Sequence, residues 1–436
     1  MDFNKSVDKT LSLQKKHFIT GETASLHHRE SALKRLRRSI LHYQVDIEAA
    51  LFEDLGKSKE HIEKFEIDIV INEIDYTLKN LESWMNEDLK EIEMPDSLMP
   101  SKGYIKREPF GVCYIIGPFN YPINLTFAPL IGAIAGGNTA IIKPSENTPN
   151  TAKVIEKIIN DNFEEKFIKV YQGSIEENKY LLSLPFDFIF FTGSPNVGKV
   201  VMKAASEHLT PFVLELGGKS PFIIEESADL KQAAEQLIFG KLINSGQTCI
   251  APDYVYIDKK IKENFLKIIV DEIKNKHLTL GEIGKLVSSQ QVTNVSNYVK
   301  NSNGNIIIGG EFDIKSRHFQ PTVVDNVNWD DSLMQQELFS PIIPIITFDS
   351  ISEVDVNVNK FTPKPLAVYV FTKNKSLGMD IIDKIPSGDA QINAVISHVS
   401  SPYFPFGGVG PSGIGEYHGK YSFMSFTHRK SIRIVD

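Results

Sequence analysis

Apolar and polar positions recur at two spacings along the chain, and the change between them divides it. Residues 1–90 mix charged and apolar positions at helical spacing and contain no proline, which predicts helices. Residues 91–110 lose that period and carry Pro95 and Pro100, so they read as an arm rather than core. From Gly111 to about Leu216, short continuous apolar runs alternate with helical patterns. Strands are predicted over 111–116, 139–142, 167–171 and 186–191, and helices over 125–136, 148–162, 175–184 and 195–208. A second series starts near Phe212. It has a strand over 221–224 and an amphipathic helix over 229–243, with Leu230, Ala233, Ala234, Leu237, Ile238 and Leu242 on one face. Alternation continues to about Asn393. The last 40 residues, rich in Gly, Ser, Phe and Pro, read as a loop and tail that pack on something else.

Continuous apolar strands between helices mean a parallel sheet buried on both faces. The fold class is therefore α/β, doubly wound, with a ligand crevice at the carboxyl ends of the strands. At 436 residues the chain can form two or three domains.

Charge narrows the function classes. The formal net charge of -8 argues against nucleic acid as a main partner. The basic stretch Lys34-Arg35-Leu36-Arg37-Arg38 lies in a helical pattern and reads as a solvated face. No run reaches the ~18 apolar residues of a membrane span, and the first residues show no apolar signal core. With only Cys113 and Cys249 no disulfide framework can form, so a cytoplasmic setting is expected. Cys113 lies in the apolar run Val112-Cys113-Tyr114-Ile115-Ile116 and reads as an inert core thiol. Cys249 lies in a polar, glycine-containing segment. No metal-ligand spacing is present.

Five segments carry candidate chemistry. Thr192-Gly193-Ser194-Pro195-Asn196-Val197-Gly198 joins a strand to a helix. It is either a phosphate-binding turn at a helix N-terminus or a plain strand-to-helix turn. Lys143-Pro144-Ser145-Glu146 follows a neighbouring strand, where an acidic residue can accept from a ribose hydroxyl; the alternative is a solvated loop. Glu215 ends an apolar run before Gly217-Gly218, so desolvation would raise it into the working range of a base. The alternative is pairing with a nearby lysine. Asn120, between Pro118 and Pro122, is either an oxyanion donor or a turn-forming residue. Asn244-Ser245-Gly246-Gln247-Thr248-Cys249 places a thiol on a loop just past a helix, where it is exposed enough to react. Together these supply a nucleophile, a base and an oxyanion donor on a nucleotide-binding scaffold. That set suits oxidation of a carbonyl through a thioester, and it needs the Cys249 sulfur held ionised.

These segments resemble the NAD(P)-dependent aldehyde dehydrogenase superfamily, most closely its class 3 branch of fatty and aromatic aldehyde dehydrogenases. The resemblance runs over nearly the whole chain in motif order. The segments 246–254 and 418–423 look like class 3. It implies that Cys249 is the nucleophile, Glu215 the base and Asn120 the oxyanion donor. It also implies that Lys143, Glu146, Gly193, Ser194, Gly198, Leu216, Glu337 and Phe339 bind the cofactor, and that Phe406 lines the site.

The cofactor implied is NAD, with NADP also accepted, and the substrate an aldehyde. The domains implied are 1–90 with 108–213 for NAD(P) binding and 214–394 for catalysis. Residues 91–107 and 395–436 would form the oligomerisation arm and tail of a homodimer. Ser340 stands where the superfamily's Glu-x-Phe-Gly-Pro loop has glycine, and would be strained if that position needs a positive φ. Phe119 replaces a frequent Trp. Residues 270–290 look shortened, at the surface and away from the chemistry. The hydrophobic C-terminal tail of membrane-bound members is missing. A CoA-acylating aldehyde dehydrogenase and a non-catalytic dimeric relative are the rival readings.

Overall fold

The computed structural model describes residues 2–87, 91–92 and 101–435. Helices α1 (Phe3–Ile19), α2 (Leu26–His42), α3 (Gln44–Leu55), α4 (Lys59–Ile62) and α5 (Asp68–Glu87) open the chain, with a π-helical turn at Glu63–Ile67. Helix α2 buries Leu33, Leu36 and Ile40 and leaves Lys34, Arg35 and Arg38 in water. Its basic stretch is thus a solvated face.

Strand β1 (Ser101–Pro109) precedes the first α/β series. That series runs β2 (Val112–Ile116), α6 (Asn124–Gly136), β3 (Thr139–Lys143), α7 (Pro149–Asn160), β4 (Ile168–Val170), α8 (Ile175–Leu182), β5 (Phe188–Gly193), α9 (Pro195–His208) and β6 (Phe212–Leu216). The second runs β7 (Pro221–Ile224), α10 (Leu230–Leu242), β8 (Tyr254–Asp258), α11 (Lys262–Asn275), α12 (Ser289–Lys300) and β9 (Asn305–Ile308). The two-residue strands β10 (Phe312–Asp313) and β11 (His318–Phe319) follow. Then come β12 (Thr322–Asp325), β13 (Ile342–Phe348), α13 (Val354–Phe361), β14 (Ala367–Phe371), α14 (Lys375–Lys384) and β15 (Asp389–Ile392). The chain closes with β16 (Gly413–Ile414), α15 (Gly419–Ser425) and β17 (Thr427–Val435).

Two sheets result. The first has the order β16-β6-β5-β2-β3-β4, and the second β15-β14-β7-β8-β13-β12-β9. The first is parallel except for β16, and the second except for β9. Strand alternation feeds two cores. Cys113 and Ile115 of β2 face the cluster with α2 and α6, while Val112, Tyr114 and Ile116 face the cluster with α1 and α9. Each such aliphatic side chain, fully buried, stabilises the fold by about 1.5–3 kcal/mol. Cys113 is sealed in this core. In the first sheet β3 and β4 lie on one side of β2, and β5 and β6 on the other. Strand order therefore reverses between β2 and β5, where a crevice opens at the carboxyl edge.

Two expectations need correction. The last 40 residues are not merely loop. They form α15 and β17, and β17 pairs with β1 over nine residues as an antiparallel ribbon. β16 instead joins the first sheet, Gly413 beside Glu215. A boundary at residue 213 would also cut β6, which runs unbroken to Leu216. The expected arm at 91–107 lies partly outside the described residues, and its described part includes β1. Among the described residues, no helix is long and apolar enough to cross a membrane.

Candidate active site

A cavity of about 420 Å³ opens at the carboxyl edge of the first sheet, at the β2/β5 reversal. Ile116, Lys143, Gly193 and Leu216, the last residues of four parallel strands, all line it. So do Asn120, Ser194, Glu215, Cys249, Glu337 and Phe339.

Cys249 arrives on a tightly held loop. After α10 the backbone passes through left-handed conformations at Asn244 (φ 49), Ser245 (φ 56) and Gly246 (φ 78). Left-handed backbone at a non-glycine residue costs about 1–2 kcal/mol, so other contacts must hold it. A Cβ at Gly246 would come within 2.2 Å of the Ser340 carbonyl oxygen. Asn244 Nδ2 donates to the Asn120 carbonyl (2.8 Å) and to that of Gln247 (3.0 Å). Gln247 Nε2 donates to Lys285 O (3.0 Å), and Gln247 Oε1 accepts from Val287 N–H (2.8 Å). The Ser245 hydroxyl donates to Gly284 O. Residues 284–287, expected at the surface and away from the chemistry, thus brace the thiol loop, and Val287 lines the cavity. Sequence spacing gave no sign of this, because the contacts run through backbone atoms.

Asn120 sits in the loop between β2 and α6. Its Nδ2 donates to Gln247 O (3.1 Å), which fixes the amide beside the thiol loop and leaves its second N–H uncommitted. The neighbouring Tyr121 hydroxyl bonds the Thr248 hydroxyl at 2.8 Å.

Glu215, near the end of β6, is buried, and neither carboxyl oxygen makes a hydrogen bond of normal geometry. Among the described residues it has no lysine partner. Lys219 is spent on Asp253 (2.5 Å) and on the carbonyls of Leu333 and Gln336. Burial pushes the Glu215 carboxyl well above the usual carboxylate range, Asp389 adds to this, and contact with the Cys249 thiol opposes it. Burial likewise pushes the Cys249 thiol well above its ordinary value, helped by the charges of Glu215 and Glu337. Burial thus works against the ionised sulfur that the expected chemistry needs, and the Glu215 carboxyl lies in contact with it.

Glu215 raises the Cys249 thiol while contact with the thiol lowers Glu215, so the two titrate as a coupled pair. Removing the Glu215 charge should shift the pH dependence of Cys249 alkylation by iodoacetamide to lower pH. Glu215→Gln compared with the parent protein checks this. Cys113 is sealed away and will not interfere, and a shift to higher pH would refute the coupling.

Glu337 accepts from the Gly218 N–H, and burial, aided by the Asp253 charge, raises it to about 8. The close approach needs Gly217, where a Cβ would fall 1.9 Å from Glu337 Oε2. Asp253 holds the Glu337 loop by accepting from Leu338 N–H (3.2 Å). Phe339 meets Phe119 edge to face at 5.8 Å. The left-handed residue of this loop is Phe339 (φ 47), whereas Ser340 is buried and has no positive φ. The expected strain at Ser340 is thus absent and lies one residue earlier.

At the far end of the cavity, the buried Lys143 ammonium pairs with the exposed Glu146 carboxylate. The Ser194 hydroxyl caps α9 by accepting from Val197 N–H (3.4 Å). Thr192, not singled out in the sequence, lines the cavity with a buried, unpartnered hydroxyl. Gly198 and Phe406 do not line this cavity. Gly198 lets Leu216 approach α9, a Cβ there falling 2.8 Å from Leu216 Cδ2, and Phe406 is buried against Tyr417 and His418. The helix end at Ser194, the orphan Thr192 hydroxyl and the Lys143 ammonium suit a phosphate- and ribose-bearing cofactor.

Residues 3–432 match the model of the aldehyde dehydrogenase family. The chain belongs to that family. It is 44% identical over 421 residues to the 4,4'-diaponeurosporen-aldehyde dehydrogenase of Staphylococcus aureus (strain NCTC 8325 / PS 47), covering 96% of this chain and 91% of that one. It is 40% identical over 418 residues to aldehyde dehydrogenase family 3 member A2 of Pongo abelii, covering 95% and 85%. Its fold superposes on the structure titled "Substrate bound state of Staphylococcus Aureus AldH" with a TM-score of 0.94 at 42% identity, covering 99% and 94%. This aldehyde dehydrogenase is of the class 3 type and oxidises an aldehyde to the acid with NAD or NADP. The general mechanism of the family, through a cysteine thiohemiacetal and thioester, applies to it.

Proposed function

We propose that Cys249 is the nucleophile, Glu215 the general base and Asn120 the oxyanion donor of this aldehyde dehydrogenase. The observation that carries the reading is that three side chains from separate loops and strands meet on one cavity wall beside Glu337. Glu215 takes the proton of the Cys249 thiol, and the sulfur attacks the aldehyde carbon. The oxyanion is met by the uncommitted N–H of Asn120 and the backbone N–H of Cys249. NAD or NADP, held by the residues named below, would supply the hydride acceptor for this oxidation. Glu215 releases the thiol proton to solvent, then removes one from water, whose oxygen attacks the thioester carbon; the sulfur leaves with the proton returned by Glu215, and the acid is freed.

The first sheet holds the cofactor in this reading. Gly193, Ser194 and Leu216 bear on its phosphate half, Lys143 and Glu146 on the adenine ribose, and Glu337 and Phe339 on the nicotinamide half. Gly198 acts by seating Leu216. The second sheet carries the thiol loop. The class 3 likeness supports medium-to-long aliphatic or aromatic aldehydes as substrates. The β1–β17 ribbon, with Ile434 and Val435 exposed, supports homodimer formation, and two unpaired thiols support a cytoplasmic setting.

The test is NADH formation from a panel of aldehydes without CoA. A strict CoA requirement would overturn the hydrolytic reading and favour acyl transfer to CoA. Glu146 should disfavour a 2′-phosphate. Glu146→Gln is expected to raise kcat/KM for NADP relative to NAD about fivefold, which corresponds to the ~1 kcal/mol between two close unit charges in water. An unchanged ratio would remove Glu146 from cofactor choice.

A further inference from the structure

The first 90 residues carry a buried ion pair that the reaction above does not use. Lys57, in the short link between α3 and α4, and Glu66, in the π-helical turn, are both sealed from solvent. Lys57 Nζ donates to Glu66 Oε1 (2.7 Å) and to the backbone carbonyl of Asn120 (2.7 Å). It also lies 4.1 Å from the centre of the Tyr121 ring. The other Glu66 oxygen accepts from the backbone N–H groups of Ile123 (3.1 Å) and Asn124 (3.0 Å). One ion pair therefore grips residues 120–124 at four points. Asn244 Nδ2 shares the Asn120 carbonyl, so the same node ties the Asn120 loop to the thiol loop.

Such a pair is a poor source of stability, because desolvating two charges offsets most of their attraction. It is well suited to fixing geometry. Charge-assisted hydrogen bonds are short and strong, and here they converge on the backbone that aims the Asn120 amide. π-Helical turns also recur at functional sites.

We propose that Lys57 and Glu66 are positioning residues for the oxyanion donor: they hold the Asn120 backbone so that its side-chain N–H meets the oxyanion formed at Cys249. The proposal rests on Asn120 being that donor. Lys57 touches neither substrate nor cofactor in it, and acts through Asn120 alone. The misplacement caused by removing it should slow the chemical step, while cofactor binding and the reactivity of the free thiol stay as they were.

A double-mutant cycle tests this. Wild type, Asn120→Ala, Lys57→Met and the double variant are compared by kcat/KM for one aldehyde, by NAD affinity and by the Cys249 alkylation rate. Asn120→Ala should lose ~10²–10³-fold. Lys57→Met should lose up to ~10²-fold, the scale of a 1 Å misplacement. The double variant should be no worse than Asn120→Ala, with NAD affinity unchanged throughout, alkylation unchanged in Lys57→Met, and alkylation in the double variant equal to that in Asn120→Ala.

Multiplying losses in the double variant, or no loss in Lys57→Met, would overturn the positioning role while leaving the oxyanion reading intact. No loss in Asn120→Ala would overturn the oxyanion reading and this inference with it. Should Lys57→Met fail to fold, Glu66→Gln keeps the side-chain shape, removes the charge, and runs through the same cycle with the same outcomes.

Discussion

Cys249→Ala is expected to form no NADH from any aldehyde above background while binding NAD as the parent does. Removing a catalytic nucleophile costs on the order of 10⁶-fold, and no other group in the cavity can replace it. Cys113, the remaining thiol, is sealed beneath β2, with burial pushing it well above its ordinary value. The fold should survive, because the backbone around position 249 is held by Asn244, Gln247 and Thr248 rather than by the sulfur. Absorbance at the NADH band and NAD titration by fluorescence check the two halves. A Cys249→Ala protein that oxidises aldehyde at the wild-type rate would refute the nucleophile and with it the whole reaction scheme.

The second large effect is at Glu215. Glu215→Gln keeps the shape of a buried side chain but cannot take a proton from water. Loss of a general base lowers turnover by ~10²–10⁴. Acylation has another route at high pH, because the thiol loses a proton more readily without the neighbouring charge. Deacylation has none. The expected result is one equivalent of NADH per active site followed by near arrest, with an acyl group on Cys249 detectable as added mass. Added CoA should not restore turnover. Steady turnover at the parent's rate, with no burst, would show that Glu215 is not the base.

Period and spacing placed most of the elements in the first 260 residues. The helix predicted over 195–208 is found over Pro195–His208, and the strand over 221–224 over Pro221–Ile224. These signals are local: a proline at the first helical position, a serine cap, a continuous apolar run. The tail was misjudged because β16 and β17 are defined by partners far away in sequence, β6 and β1. A strand with mixed Thr, His, Arg and Lys carries no apolar alternation of its own. The Ser340 expectation failed for a related reason. Which residue of the Glu337 loop turns left-handed is set by contacts with Gly246 and Asp253.

Periodicity determined the fold class, and the order of motifs determined the reaction class and most of the residues that meet in the cavity, though not Thr192 or Val287. Each of those residues ends a strand or a loop whose character is written in its neighbours. Tertiary structure decided how those residues stand. It buries the thiol so that its ionisation is opposed, leaves Glu215 without a lysine among the described residues, and puts Lys57 and Glu66 beneath Asn120. The reason is that desolvation and hydrogen-bond geometry depend on everything within a few ångströms, and those neighbours come from residues tens to hundreds of positions apart.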